Sequence, residues 1–253
     1  MVIFIKINEL NSVLVKNIAN FFTEQGKTKV VLGLSGGIDS ALVLSLLTEA
    51  IGKSNVTAIF MPNKAITSDK SGFDAKKLAV LLAVKFFVVE IDGILASFSK
   101  LPWIPSDIAK ANLNARTRAL VLYNYANSTE CLVAGTGNKS EFYMGYFTKY
   151  GDAAADFFPI GNLLKTQVRA LSEYRGIPHE FLEKAPSAEL WKGQEDEKEM
   201  GLTYAELDEL LPLILEGKKI PAGKEKIGEK IKKQIKETEH KRQNPKIIPL
   251  SST

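Results

Sequence analysis

Apolar positions along the chain follow two patterns. Between residues 8 and 25, Leu10, Val13, Leu14, Ile18, Phe21 and Phe22 recur at three- and four-residue spacing, which predicts an amphipathic helix. Four short β-rich runs follow at 29–34, 56–61, 86–91 and 131–135, separated by helical stretches at 40–51, 68–84 and 107–126. Strands alternating with helices of this length predict an α/β fold of parallel βαβ units with right-handed crossovers. Near-continuous apolar strands predict a sheet covered on both faces, with ligands bound beyond the carboxyl ends of its strands. Residues 165–175 predict a further helix that stops at Gly176 with Pro178 beyond it, and residues 204–215 predict another. Residues 186–201, rich in Glu, Lys and Gly, read as a long loop of the kind that serves as a lid.

Composition narrows the class. The chain has 253 residues, of which 45% are hydrophobic, enough for one α/β domain over 1–253 with a sizeable core. No apolar stretch reaches the roughly 18 residues that span a bilayer, and the best candidate, 78–91, carries Lys85 and Glu90. A single cysteine excludes an internal disulfide, and the N-terminus lacks the pattern of a signal peptide, so the expected location is cytoplasmic. The net charge of +4 is concentrated in a basic C-terminal arm, 218–253. Such an arm suits nucleic acid, an anionic small molecule, or a solvated helix paired through Glu225/Glu229 and Lys226/Lys230. Pairing favours the solvated helix for most of these lysines, and no nucleic-acid or membrane partner is expected.

Candidate chemistry begins at Gly33-Leu34-Ser35-Gly36-Gly37-Ile38-Asp39-Ser40, where a strand runs through glycines into a helix. A helix N-terminus holds phosphate with unpaired amides, and glycines let the backbone approach it. A Walker loop would carry lysine here, but this one carries Asp39, a carboxylate that tolerates phosphate only with a metal between them, hence Mg²⁺. The pattern Ser-Gly-Gly-x-Asp-Ser resembles the pyrophosphate loop of the ATP pyrophosphatase superfamily, whose members cut ATP to AMP and pyrophosphate. Gly135-Thr136-Gly137 forms a second glycine turn at a strand end.

Later motifs narrow the resemblance. Residues 135–141 read GTGNKSE, 145–152 read GYFTKYGD, and Asp156, Phe158-Pro159, Lys165-Thr166-Gln167 and Pro186-Ser187-Ala188 follow, with His240-Lys241-Arg242 near the end. In this order, over nearly the whole chain, they resemble the ammonia-dependent NAD synthetase family. The resemblance implies a Rossmann-like parallel-sheet sandwich of the adenine nucleotide alpha hydrolase type with a helical C-terminal arm. It also implies a homodimer that amidates deamido-NAD with ammonia, using ATP as cosubstrate and releasing AMP and pyrophosphate through an acyl-adenylate.

Residue roles come with that resemblance. Asp39 and Glu141 would hold Mg²⁺, and Asp39 and Lys165 would be catalytic. Residues 33–40, Thr136, Lys165 and Ser187 would bind ATP. Arg116, Lys149, Asp156, His240 and Lys241 would bind deamido-NAD. Arg116 and Arg118 lie two apart on a helix and diverge, so one reaches the ligand; the family pattern selects Arg116 and leaves Arg118 structural. The glycine loop arrives by residue 35, which leaves no space before it for a glutaminase domain, so ammonia itself is the expected nitrogen donor. Cys131 opens a buried strand and is not read as a nucleophile. Ala153-Ala154 stand where the family has two glycines, a departure that would strain the loop if positive φ were required. Competing readings are another pyrophosphate-loop enzyme, such as a GMP synthetase-like or tRNA-modifying ligase, and a non-catalytic ATP-binding module.

Overall fold

Four parallel strands form the centre of the molecule: β1 (Val30–Gly33), β2 (Val56–Phe60), β3 (Lys85–Val88) and β4 (Leu132–Ala134), in the order β3-β2-β1-β4. The computed structural model describes residues 6–184, 186, 191, 194–248 and 250. Val30 of β1 faces Val56 of β2 on one side and Leu132 of β4 on the other. The chain enters the sheet at β1, moves outward to β3, and returns to lay β4 against the free side of β1. That reversal opens a crevice past the carboxyl ends of β1 and β4, where open α/β sheets bind ligands.

Strand alternation sorts the core into two layers. Val30, Leu32, Val56, Ala58 and Phe60 face one apolar cluster, together with α1 (Ile7–Glu24), α2 (Ile38–Ile51) and α7 (Lys165–Tyr174). Val31, Ile59 and Val133 face the other, under α5 (Asp107–Thr129). Residues 40–47 of α2 are all buried, because this helix lies between the sheet and α1 and α7. Truncating one of its leucines to alanine costs about 2–5 kcal/mol. On α5, Ala111, Ala115, Ala119, Leu122 and Ala126 form a buried stripe.

Beyond the sheet, α6 (Lys139–Met144), α9 (Asp196–Met200), α10 (Tyr204–Leu215) and α11 (Glu225–Glu237) share a third cluster around Met144, Leu207, Leu211 and Ile231. The basic arm is therefore half core: its lysines stay outside while Ile231 is fully buried. Residues 186–201, read as a continuous loop, contain α9, with Met200 packed into that cluster. Two short helices complete the site's surroundings, α8 (His179–Glu183) and α12 (Glu239–Arg242). In α12, Arg242 Nη1 donates to the carbonyls of Phe142 and Tyr143 at 3.2 and 2.9 Å, satisfying the open end of α6. Among the described residues, no helix is long and apolar enough to cross a membrane.

Candidate active site

Residues 34–37 turn the chain from β1 into α2, and two serines hold that turn. Ser40 Oγ donates to the Gly37 carbonyl at 3.0 Å and accepts from the Ser35 amide at 3.2 Å, while Ser35 Oγ accepts from the Gly37 amide at 3.2 Å. Gly36 has φ +79°, and a Cβ there would lie 2.5 Å from the Ser71 carbonyl oxygen, so only glycine fits. The first intrahelical bond of α2 runs from Ala41 N to Gly37 O at 3.1 Å. The amides of Ile38, Asp39 and Ser40 thus belong to the open first turn, where an anion is favoured. They border a cavity of about 540 Å³ whose wall also includes Gly33, Leu34 and Ser35.

Two charges from elsewhere in the chain, Lys165 and Glu141, meet Asp39 of that turn. Lys165, the first residue of α7, places Nζ 2.5 Å from Asp39 Oδ2 and 2.9 Å from Glu141 Oε1. Asn138, fully buried, donates to Asp39 Oδ1 at 2.8 Å and caps α6 in a reciprocal box with Glu141. Burial, with Asp39 next in importance, pushes the Glu141 carboxyl up to about 7. Burial also opposes the Lys165 charge, but Asp39 and Glu141 outweigh it and hold that ammonium above the ordinary lysine range. The ammonium also lies 5.2 Å from the centre of the Tyr204 ring.

Two half-buried carboxylates converging on one cation suit Mg²⁺, which takes hard oxygens from one or two carboxylates and completes its shell with water and substrate phosphates. Among the described residues no group of three or more His, Cys, Asp or Glu side chains forms a closed metal cage. The donor set therefore fits a metal shared with a nucleotide.

The remaining anticipated residues divide between the cavity and its surroundings. Thr136 and Lys241 line the cavity with Asp39, Glu141 and Lys165. Lys241 Nζ donates to the Gly145 and Phe147 carbonyls at 2.7 and 3.0 Å, and burial lowers its pKa. Arg116, Lys149, Asp156 and His240 are absent from the cavity wall. Arg116 Nε and Nη2 each donate to the Lys149 carbonyl at 3.3 Å, and Lys149 Nζ donates to the His240 and Gln243 carbonyls at 2.9 Å. Asp156 accepts from the Val133 amide at 2.7 Å and from the Tyr123 hydroxyl at 3.3 Å; burial and this carboxylate push Tyr123 up to about 12. His240 Nδ1 lies 3.1 Å from the Glu237 carbonyl on an exposed turn. Ser187 lies outside the described residues.

Further residues form the wall or support it, among them Arg118, whose expected role is structural. Arg118 lines the cavity and donates from Nε to the Met61 carbonyl at 3.0 Å. Asp152 lines the same cavity and accepts a bond from the Thr148 amide at 2.8 Å, and desolvation raises its carboxyl pKa against that bond. Asp208 on α10 accepts from Ser140 Oγ at 2.5 Å and from the Thr166 amide at 2.7 Å, while Ser140 Oγ accepts from the Lys165 amide at 3.0 Å. These bonds fix the start of α7 and hence the origin of the Lys165 side chain. Asn138 was visible as a helix-capping residue type beside Glu141; Asp208 gave no signal among the charges of its helix. Ala153 and Ala154 keep negative φ, so the departure from glycine brings no backbone strain; Tyr150 carries the positive φ, at 62°.

A parallel sheet with a phosphate turn at its switch point, facing a buried Asp–Lys–Glu cluster, defines a nucleotide-using α/β enzyme. The chain belongs to the NAD synthase family, whose model matches residues 10–245. It is 45% identical to the NH(3)-dependent NAD(+) synthetase of Archaeoglobus fulgidus over 89% of this chain and 90% of that protein. It is 48% identical to the protein of the same name from Methanococcus aeolicus over 83% and 84%. Among solved structures it resembles the NMN synthetase of Francisella tularensis (TM-score 0.87, 36% identity, 98% and 100% covered). It also resembles the NH3-dependent NAD synthetase of Campylobacter jejuni in complex with the nitrate ion (TM-score 0.80, 30% identity, 97% and 100% covered).

Proposed function

We propose that this protein is an ammonia-dependent NAD synthetase, an AMP-forming ligase that amidates deamido-NAD. The observation that carries this reading is the Asp39–Lys165–Glu141 cluster set against the amides of residues 37–40. A free carboxylate is a poor electrophile. Its oxygen attacks the α-phosphorus of ATP, the bond to the bridging oxygen breaks, and pyrophosphate leaves. Ammonia then adds to the acyl-adenylate carbonyl, loses a proton, and expels AMP. The α2 amides orient the phosphates, and Lys165 compensates charge as the pentacovalent phosphorus forms. Asp39 and Glu141 would hold Mg²⁺, which would supply neutralisation of phosphate oxygens. Arg116, Lys149, Asp156, His240 and Lys241 are assigned to deamido-NAD, and Thr136 and Ser187 to ATP.

The test is product analysis with ATP, Mg²⁺, deamido-NAD and ammonium: NAD, AMP and pyrophosphate are expected, whereas ADP and phosphate would overturn the mechanism. The likeness to a structure described as an NMN synthetase favours including the corresponding mononucleotide as a competing acceptor. Glutamine is expected to replace ammonium poorly.

The functional unit is assigned as one domain over 1–253 that works as a cytoplasmic homodimer. Ile104 and Ile108, 96% and 73% exposed, and Leu120 support a partner on the α5 side of the sheet. Sedimentation at micromolar concentration tests that assembly; a monomer there counts against it.

A further inference from the structure

The turn at residues 35–40 lacks the lysine of a Walker loop, but a lysine reaches it from elsewhere in the chain. Lys184, just past the end of α8, places Nζ 2.8 Å from Ser71 Oγ and 3.5 Å from the Gly36 carbonyl oxygen. It lines the same cavity as Ser35, Gly37 and Asp39. Its position is built in. Ser71 is fully buried on α3 (Asp69–Leu81), anchored by Ser68 Oγ at 2.8 Å, and Gly36 packs on the Ser71 backbone with no space for a Cβ. Turn, helix and ammonium therefore meet at one junction.

Charge balance gives that junction a task. Asp39 and Glu141 already engage Lys165 at 2.5 and 2.9 Å, and this trio carries a net negative charge when ionised. Lys241, on the cavity wall contributed by α12, engages the Gly145 and Phe147 carbonyls. An incoming triphosphate meets Lys184 beside the backbone turn itself, and a lysine ammonium is a compact point charge well suited to phosphate oxygens.

We propose that Lys184 is a pyrophosphate-binding residue. Its ammonium does for this turn what the local lysine does for a Walker loop: it holds the β- and γ-phosphoryl oxygens of ATP and then those of the departing pyrophosphate. This assignment rests on the ligase reading above, in which the bond between the α-phosphorus and the pyrophosphate oxygen breaks.

The test separates pyrophosphate from AMP. In the full chain with Mg²⁺, Lys184→Ala is expected to weaken binding of inorganic pyrophosphate about tenfold and to raise KM for ATP by a similar factor. Binding of AMP and KM for deamido-NAD are expected to stay within about twofold, and Lys184→Arg is expected to restore most of the loss. On the wild-type protein, pyrophosphate is expected to protect Lys184 from amine acylation, read by mass spectrometry, and AMP is not; this arm needs no variant to fold. Unchanged pyrophosphate affinity in a folded Lys184→Ala protein, equal loss of AMP and pyrophosphate binding, or absence of selective protection would each overturn the proposal. If the wild-type protein makes NAD and these results are negative, the Lys184 assignment alone fails. If pyrophosphate protects Lys184 but no NAD forms, the ligase reading fails and the binding role stands.

Discussion

At the phosphate turn a lysine meets carboxylates; around the end of α6 and the C-terminal helix cations meet backbone carbonyls. Lys165 reaches Asp39 and Glu141. Lys149, Lys241 and Arg242 reach the carbonyls of residues 142, 143, 145, 147, 240 and 243. These arrangements do different physical work. A buried charge cluster keeps ionic groups poised for ligand charge and adds little net stability, because desolvation offsets attraction. Cations on the carbonyls at helix ends satisfy groups that would otherwise be buried without partners, so they hold the fold. Changes on the first side should therefore show in turnover, and changes on the second in melting temperature.

The largest effect is expected at the charge cluster. Asp39→Asn and Glu141→Gln should each lower kcat by roughly 10²–10³-fold, the scale seen when one preorganised electrostatic group is removed. Melting temperature should move by no more than about 4 °C, the shift that about 1 kcal/mol produces in a chain of this size. Steady-state assays and thermal melts on the same preparations check this pair. Near-normal turnover in both variants would remove the cluster from the chemistry and collapse the contrast between the two sides.

Asp208 sharpens the contrast, because it supports the charge cluster without entering the cavity. Its carboxylate holds Ser140 Oγ and the Thr166 amide at the start of α7. Asp208→Asn keeps one acceptor oxygen and loses the other. A fall of about tenfold in kcat, with KM for deamido-NAD unchanged, is expected alongside a loss of about 1–3 kcal/mol in stability. Loss of stability with kcat intact would show that Lys165 finds its place without this support.

Next comes Arg242. Arg242→Ala strips donors from the end of α6 and should lower the melting temperature by about 2–8 °C, corresponding to roughly 1–2 kcal/mol, with kcat and KM for ATP little changed. Lys241→Ala should show a similar drop and also raise KM for deamido-NAD, since Lys241 both braces the 145–147 carbonyls and faces the cavity. If Lys241→Ala raised KM with no thermal cost, the carbonyl contacts would be incidental to the fold.

The same division explains what could be read from sequence. The sheet, its helices and the phosphate turn were legible, because period-2 and period-3.6 patterns and a Gly-Gly turn are local signals. Asp39, Glu141 and Lys165 come together where strand ends are brought to one face. The second side was less legible. A lysine bound to a carbonyl and one bound to a phosphate look alike in sequence, so Lys149 and His240 give no hint that they sit outside the cavity wall. Arg116 and Arg118 reach different carbonyls, and Arg118 rather than Arg116 enters the wall, which depends on the approach of Met61 and Lys149. Lysines dominate the composition of the C-terminal arm and predict a solvated helix, although Gly228 and Ile231 seat it in the core. Lys184 and Asp208 act across long sequence separations, for which a single sequence holds no signal.

The smallest effect is expected at Cys131, and it tests whether the chemistry is confined to the carboxyl ends of the strands. Cys131 precedes β4 at the amino end of the sheet and accepts a bond from Thr129 Oγ1 at 3.3 Å. Burial pushes its thiol pKa up, and the Thr129 hydroxyl only partly opposes that. The thiolate is the reactive form, so alkylation at neutral pH should be slow compared with an exposed cysteine. Cys131→Ala should retain kcat within about twofold and cost about 1 kcal/mol or less, since it removes one half-buried sulfur without leaving a charge unpaired. Rapid alkylation that abolished turnover would place a reactive group at the far end of the sheet, and the division between a chemical side and a bracing side of one cavity would no longer describe the molecule.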